Sequence, residues 1–240
     1  MSTSVDIGID IVRDSLKGGV IFNEENHTYH LNGKQLRSVG SIVKSFADEF
    51  DSDYWSKRKA DERGVDQEVV LKEWLDKAQK ACNEGKEFHS HAQLRLEGKG
   101  KESSSPKAKA FDKWFEDASR FIVPVGCEVI LWDEELGVAG TSDLVFYSTK
   151  SKSFHIADWK TNGKFETSSR YRERLHRPFN RLDKCALSSY SIQVGIYRRM
   201  AQNLTGLEFG DSWIMHVGEA VTPHRAIKLE KEIEIALKRL

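Results

Sequence analysis

Two short segments constrain this chain more than any other feature. They are Gly140-Thr141-Ser142-Asp143 and Asp158-Trp159-Lys160-Thr161, with Asp158 fifteen residues after Asp143. Asp143 heads an apolar run, Leu144-Val145-Phe146-Tyr147, and Asp158-x-Lys160 closes the next one, Phe154-His155-Ile156-Ala157. Short apolar runs separated by a polar turn at 148–153 read as strands. If the two strands are neighbours, both carboxylates and the ammonium meet at one end of a sheet. Asp158 and Lys160 are two residues apart and so share a strand face. Two carboxylates hold a hard divalent cation through oxygen, and such a cation binds phosphate. Lys160 beside it can orient or deprotonate a water. The set has what hydrolysis of a phosphodiester requires. The plain alternative is two surface aspartates in strand-end turns and a lysine in an ordinary salt bridge.

Composition narrows the partners. The chain has 240 residues, 39% of them hydrophobic, enough to bury a sizeable core. Lys+Arg and Asp+Glu both number 37. A net charge of zero gives no global pull toward nucleic acid, so binding to DNA needs a local basic patch. Cys82, Cys127 and Cys185 are far apart and odd in number, which predicts neither a metal-spaced pair nor a disulfide framework. No membrane span and no apolar signal core are expected, and a cytoplasmic setting follows from the cysteine usage.

Along the chain, short strands are predicted at 20–22 and 28–31 as a small hairpin, followed by a helix from about Ile42 capped by Ser38 or Ser41. Helical spacing runs over 67–96, with Gly85 expected to bend or split it. A Lys/Ser/Gly-rich loop covers 98–109. A helical stripe over 111–122 is expected to stop at Pro124. Strands follow at 128–132, 139–141, 144–147 and 154–158, then a polar, Arg-rich stretch at 161–189. A helix at 190–204, a strand at 213–217 and a helical tail at 228–240 complete the pattern. The plan is α/β, a single domain over 1–240. It has a mainly helical part at 1–125, a core at 126–220 and a helical tail at 221–240.

Four motifs occur in order: Gly85-Lys-Glu-Phe-His89, Gly140-Thr-Ser-Asp143, Asp158-Trp-Lys160-Thr161 and Gln193-Val-Gly-Ile-Tyr197. In this order and spacing the chain resembles the PD-(D/E)XK nuclease superfamily. Within it, the chain is similar to the RecB-like exonuclease branch, including small phage-type and mitochondrial genome maintenance exonuclease-like members. The resemblance covers about residues 20 to 200, since the segment with Phe22, His27, Tyr29 and Ser38 is similar to the opening of such proteins. It implies a restriction-endonuclease-like core, a central mixed β-sheet flanked by helices, with a helical N-terminal half. It also implies a Mg²⁺- or Mn²⁺-dependent deoxyribonuclease with one or two ions, and a phage role in DNA recombination, replication or degradation in the host cytoplasm. A single-strand-binding or recombination protein as a further partner is left open.

The resemblance makes His89 a nitrogen ligand to the metal beside Asp143, Asp158 and the main-chain carbonyl of Trp159. It places Glu128 in the active site, although a strand Glu serves equally as a structural acceptor. Gln193 and Tyr197, one helical turn apart, position the substrate strand or a water, and Thr161 orients Lys160 or meets a phosphate. His91 is a nearby decoy for His89. Where such proteins often carry Glu four residues after the motif His, this chain has Gln93. The absence of four clustered cysteines sets it apart from the iron–sulfur subgroup.

Read from its residues alone, the segment with Arg170, Tyr171, Arg172, Arg174, Arg177, Phe179 and Arg181 suits DNA. Arginines pair with phosphates and aromatic rings stack on unpaired bases. A solvated charged loop is its other reading. The expected activity is a metal-dependent exonuclease acting on DNA ends or single strands, with a channel formed by the helical half and the Arg-rich segment. A catalytically silent DNA-binding or regulatory protein on the same scaffold, a structure-specific endonuclease and a small-molecule metal hydrolase are the alternatives.

Overall fold

The structure, a computed structural model, describes residues 4–240, with side chains from Gly8 onward. Helix α1 (Ser4–Ser15) leads into strands β1 (Ile21–Asn23), β2 (Thr28–Leu31) and β3 (Lys34–Ser38). Helices α2 (Val39–Lys44), α3 (Ser52–Arg63), α4 (Gln67–Leu96) and α5 (Pro106–Ala118) follow. Then come β4 (Ile122–Asp133), β5 (Val138–Ser148), β6 (Ser153–Lys160), α6 (Ala186–Thr205), β7 (Phe209–Val217), β8 (Val221–Arg225) and α7 (Glu230–Leu237).

Local chemistry explains the boundaries. Ser38 caps α2, its hydroxyl oxygen accepting the Ser41 N–H at 3.1 Å. Asp51 caps α3 through the Tyr54 N–H at 2.9 Å, and Gly64, at φ 64°, ends that helix in the left-handed conformation. Helix α4 runs unbroken through Gly85. The helix is not split there because a single interior glycine costs it only about 1 kcal/mol.

Other expectations give way. Pro106 starts α5 inside the stretch read as a loop, a position where proline's missing N–H costs nothing. That helix ends at Ala118, and Pro124 lies within β4 at a register shift, as an edge strand allows. The two short runs at 139–141 and 144–147 are one strand, β5. The hairpin near the N-terminus has a third strand, β3. The tail opens with β8, and its helix is confined to α7.

All strands join one sheet in the order β1-β2-β3-β5-β6-β7-β8, with β4 against β5. β4 pairs with β5 in antiparallel fashion along nearly its whole length. On the other side of β5, β3 pairs in parallel only at Val138 and Ala139, and β6 pairs only over Leu144–Ser148. Neither strand pairs with residues 140–143, so the sheet is split open there.

Two large cores flank the sheet. One joins it to α1, α2, α6 and α7 around Ile156, Ile192, Ile196 and Ile214. The other joins it to α4 and α5 around Phe88, Phe111 and Trp159. Ile156 and Ala157 fall in different cores, as consecutive residues of a strand must.

Candidate active site

Near the split the strands change phase. Val129 packs in the α6-side core while Cys127, two residues earlier, packs against the α4 side. On β5, Val138 and Val145 share the α6-side core although they are seven apart. Regular strands put residues an even number apart on one face, so both strands reverse near Glu128 and Asp143. The backbone shows it directly: Glu128 has φ 49°, a left-handed conformation costly for a residue with a Cβ. The reversal coincides with two acidic side chains reaching one histidine.

That histidine is His89, from α4. Its Nδ1 lies 3.4 Å from Glu128 Oε1 and 3.4 Å from Asp143 Oδ1. One ligand atom from each of the three residues falls within a 4.8 Å group, the arrangement a cation needs. Burial alone would lower the His89 pKa. The charges and hydrogen bonds of Asp143 and Glu128 outweigh it and raise the pKa to about 10. The two acids thus favour a positive charge between them.

The neighbouring strand supplies the rest. Leu144 pairs with Ala157, which sets Asp143 and Asp158 beside each other. Asp143 Oδ2 accepts the main-chain N–H of Trp159 at 2.6 Å, so Trp159 contributes its backbone to the site while its indole packs among Phe88, Phe111 and Trp114. Asp158, 2% exposed, forms an ion pair with Lys160. Its Oδ2 meets the ammonium, so the charge of that buried oxygen is answered by Lys160. Burial and the adjacent Asp143 push its pKa up to about 6 against the pull of Lys160 and His89. Burial pulls Lys160 down, but Asp158 and Asp143 win and hold its pKa above the ordinary lysine value.

The donor set fits a hard cation. It offers carboxylate oxygens and one imidazole, with more acid than base. His89, Glu128 and Asp143 form the tightest group, and Asp158 stands next to it, engaged with Lys160. Glu128 is thus nearer to the candidate ligands than sequence reasoning put it. Only the φ reversal explains its aim, and no sequence pattern signals that.

Helix α6 roofs the split. Gln193 Nε2 donates to Tyr197 Oη at 3.0 Å. Tyr197 is buried against Gly140, where a Cβ would come within 2.7 Å of its ring. Burial, then the negative charges of Asp158 and Asp143, raise Tyr197 well above the usual tyrosine range. Tyr29, which sequence reasoning gave no role at the site, shares a 2.9 Å hydrogen bond with Thr141 Oγ1. Thr161 lies beside α4, where a Cβ on Gly85 would be 3.4 Å from Thr161 Oγ1.

This chain matches the family model of the PD-(D/E)XK nuclease superfamily over residues 24–230. The chain belongs to that superfamily. Its mixed sheet between two helical layers is the restriction-endonuclease-like fold, and the superfamily's chemistry is metal-dependent nucleic-acid cleavage. No curated protein matches the chain.

Other predicted residues of this nuclease-family chain divide. Arg170, Arg172 and Arg177 are exposed and form no ion pair among the described residues, and Tyr171 is 75% exposed. Arg174 is tied to Asp183 at 2.8 Å and to the Arg181 carbonyl at 2.9 Å, and Arg181 pairs with Glu232. Phe179, read as a stacking ring, is instead core, packed edge-on to Phe46. The apolar neighbours Leu175 and Phe179 fold the segment's middle inward. Gln93 turns away to donate to Glu97 at 3.0 Å. Among the described residues no helix is long and apolar enough to cross a membrane.

Proposed function

We propose that this protein is a metal-dependent DNA exonuclease working on DNA ends or single strands. The observation that supports it most is the convergence of His89, Glu128 and Asp143 with the Asp158–Lys160 pair at the split end of one sheet. His89, Asp143 and Asp158 would hold Mg²⁺ or Mn²⁺, with Glu128 as a further ligand and the Trp159 carbonyl available. A bound divalent cation supplies Lewis acidity and an acidified water. Lys160 orients the attacking water and offsets charge building on the phosphate. Gln193 and Tyr197 position the strand or the water, and Thr161 meets a phosphate.

DNA binding is assigned to the exposed part of the basic segment: Arg170, Tyr171, Arg172 and Arg177. Arg174 and Arg181 are exposed beside that surface, each already paired with an acid, Asp183 and Glu232. The segment joins the strand carrying Lys160 to the helix carrying Gln193. His176 is tied to the stretch before α3, through Phe46 O at 2.7 Å and Asp48 at 3.2 Å. The helical arm and the basic segment therefore share a base and can flank a strand entering the split. A role in phage DNA recombination or degradation accords with such an activity.

End-labelled linear and circular DNA, single- and double-stranded, with Mg²⁺, Mn²⁺ or EDTA, tests the proposal. Linear DNA is consumed with a divalent ion and spared with EDTA, and circular single strands resist. Rapid cutting of the circle would mean an endonuclease, and DNA binding without cleavage would mean a silent scaffold.

A further inference from the structure

Tyr190 belongs to none of the four motifs, yet it sits against the lysine they share. The Lys160 ammonium nitrogen lies 4.5 Å from the centre of the Tyr190 ring. The side chain of Lys160 is 17% exposed, so the ring and the Asp158 carboxylate account for most of what the charge meets. A largely desolvated ammonium over an aromatic face is attracted by the ring's negative face, and the attraction grows as water is excluded. Tyr190, Gln193 and Tyr197 are spaced three and four apart on α6, so one helix face presents all three to the site. The ends of that face meet opposite charge: Lys160 stands by Tyr190, while the carboxylates Asp158 and Asp143 influence Tyr197.

The part of Tyr190 that meets the ammonium is its ring. Phe165 flanks Tyr190 at 6.2 Å and itself stacks on His224 at 4.0 Å, which backs the ring from outside the site. Asp158 is the other partner of Lys160, but it is also a candidate metal ligand. The ring is a partner of the ammonium that is not itself a candidate metal ligand.

We infer that Tyr190 is a positioning residue that holds the Lys160 ammonium in place through its ring face. The inference rests on the proposed nuclease role only for its effect on rate; the contact itself stands on the geometry of Lys160 and Tyr190. An ammonium located by a rigid ring needs less reorganisation when the phosphate arrives, so the ring acts on turnover and not on DNA affinity.

The experiment compares Tyr190→Phe and Tyr190→Leu in the full chain. The first readout is the proton–carbon NMR spectrum of lysine-labelled, metal-free protein, with the Lys160 side-chain CH₂ signal beside the ammonium assigned by its loss in Lys160→Arg. Protons above a ring face are shifted upfield. That shift is expected in the parent and in Tyr190→Phe and should vanish in Tyr190→Leu. The second readout is steady-state cleavage. Tyr190→Leu should lower kcat by about 10- to 30-fold with KM for DNA unchanged, and Tyr190→Phe should stay within about twofold of the parent.

A Lys160 signal unmoved by Tyr190→Leu overturns the inference, as does a Tyr190→Phe protein as slow as Tyr190→Leu. A parent protein without metal-stimulated cleavage would sink the nuclease proposal, and the spectrum would still decide whether the ring holds the lysine.

Discussion

Helix α4 carries two histidines two residues apart, and each meets an acid in a different way. His91 Nε2 contacts Asp112 at 3.0 Å, and Arg95 Nε donates to the same Asp112 oxygen at 2.9 Å. One carboxylate is shared by two basic groups at full hydrogen-bond distance, which ties α4 to α5. His89 instead faces two carboxylates, both at 3.4 Å, with a third acid, Asp158, close by. The first cluster is closed and balanced. The second is loose and has surplus negative charge. A cluster complete within the chain fastens the fold, while one short of positive charge is made to receive it from outside.

The largest separation between the two clusters should come in catalysis. Lys160→Ala should lower cleavage by about 10³-fold or more with DNA binding nearly intact, whereas Asp112→Ala should leave the rate of the folded protein unchanged. Single-turnover cleavage beside a filter-binding titration reads both. A Lys160→Ala protein cutting at the parental rate would remove the lysine from the mechanism.

Metal binding should separate them next. His89→Ala should weaken Mn²⁺ binding by at least about 10- to 100-fold by calorimetry, while His91→Ala should not. In the parent, Mn²⁺ at about 100 times its Kd should raise Tm by roughly 5–10 °C. An equal loss of affinity in both variants would place the ligand elsewhere on α4.

The pH dependence follows from the open cluster. Asp158, raised to about 6, stabilises the metal-free fold most below the ordinary aspartate pKa, and that contribution is lost as pH rises through 6. His89, raised to about 10, contributes fully below its unfolded value near 6.5, and its contribution is lost as pH rises through 10. A cation must displace both protons, so its thermal stabilisation should grow from pH 5 to pH 9. Melting curves in EDTA and in Mn²⁺ across that range measure the difference, and a constant gap would contradict it.

The closed cluster should show its worth in stability instead. Asp112→Ala should cost about 1–2 kcal/mol in denaturant unfolding, less than a deeply buried pair because these groups keep some solvent contact. The smallest effect should come from the basic segment. Replacing Arg170, Arg172 and Arg177 together should make the salt dependence of single-strand binding shallower by about 2 in log–log slope, with kcat held.

Much of this was legible in the sequence because it rests on short-range pattern. The Asp143/Asp158/Lys160 convergence needs only two antiparallel strands and their alternation. Helix α4 was readable from its apolar spacing alone, and its bounds match. What stayed hidden depends on distant partners. Helix α1 and strand β3 are short, and tertiary packing against α6, β4 and β5 holds them. Helix α3 is nearly featureless in sequence, with only Ser56 and Ala60 buried. The fate of Phe179 and Arg181 turned on Phe46 and Glu232, far away in the chain. Sequence could mark His89 and Glu128 as candidates, but only the strand reversal shows why both aim at Asp143.

The left-handed backbone at Glu128 has a consequence for how this protein can be improved. Glycine fits that posture without steric penalty, so Glu128→Gly would relax about 1 kcal/mol of local strain, set against glycine's greater loss of chain entropy and the lost contact with His89. The relief of strain would come in a molecule missing one of three cation-facing groups. At position 128 robustness and chemistry pull against each other, and any stabilisation campaign guided by melting temperature alone would select the wrong residue there.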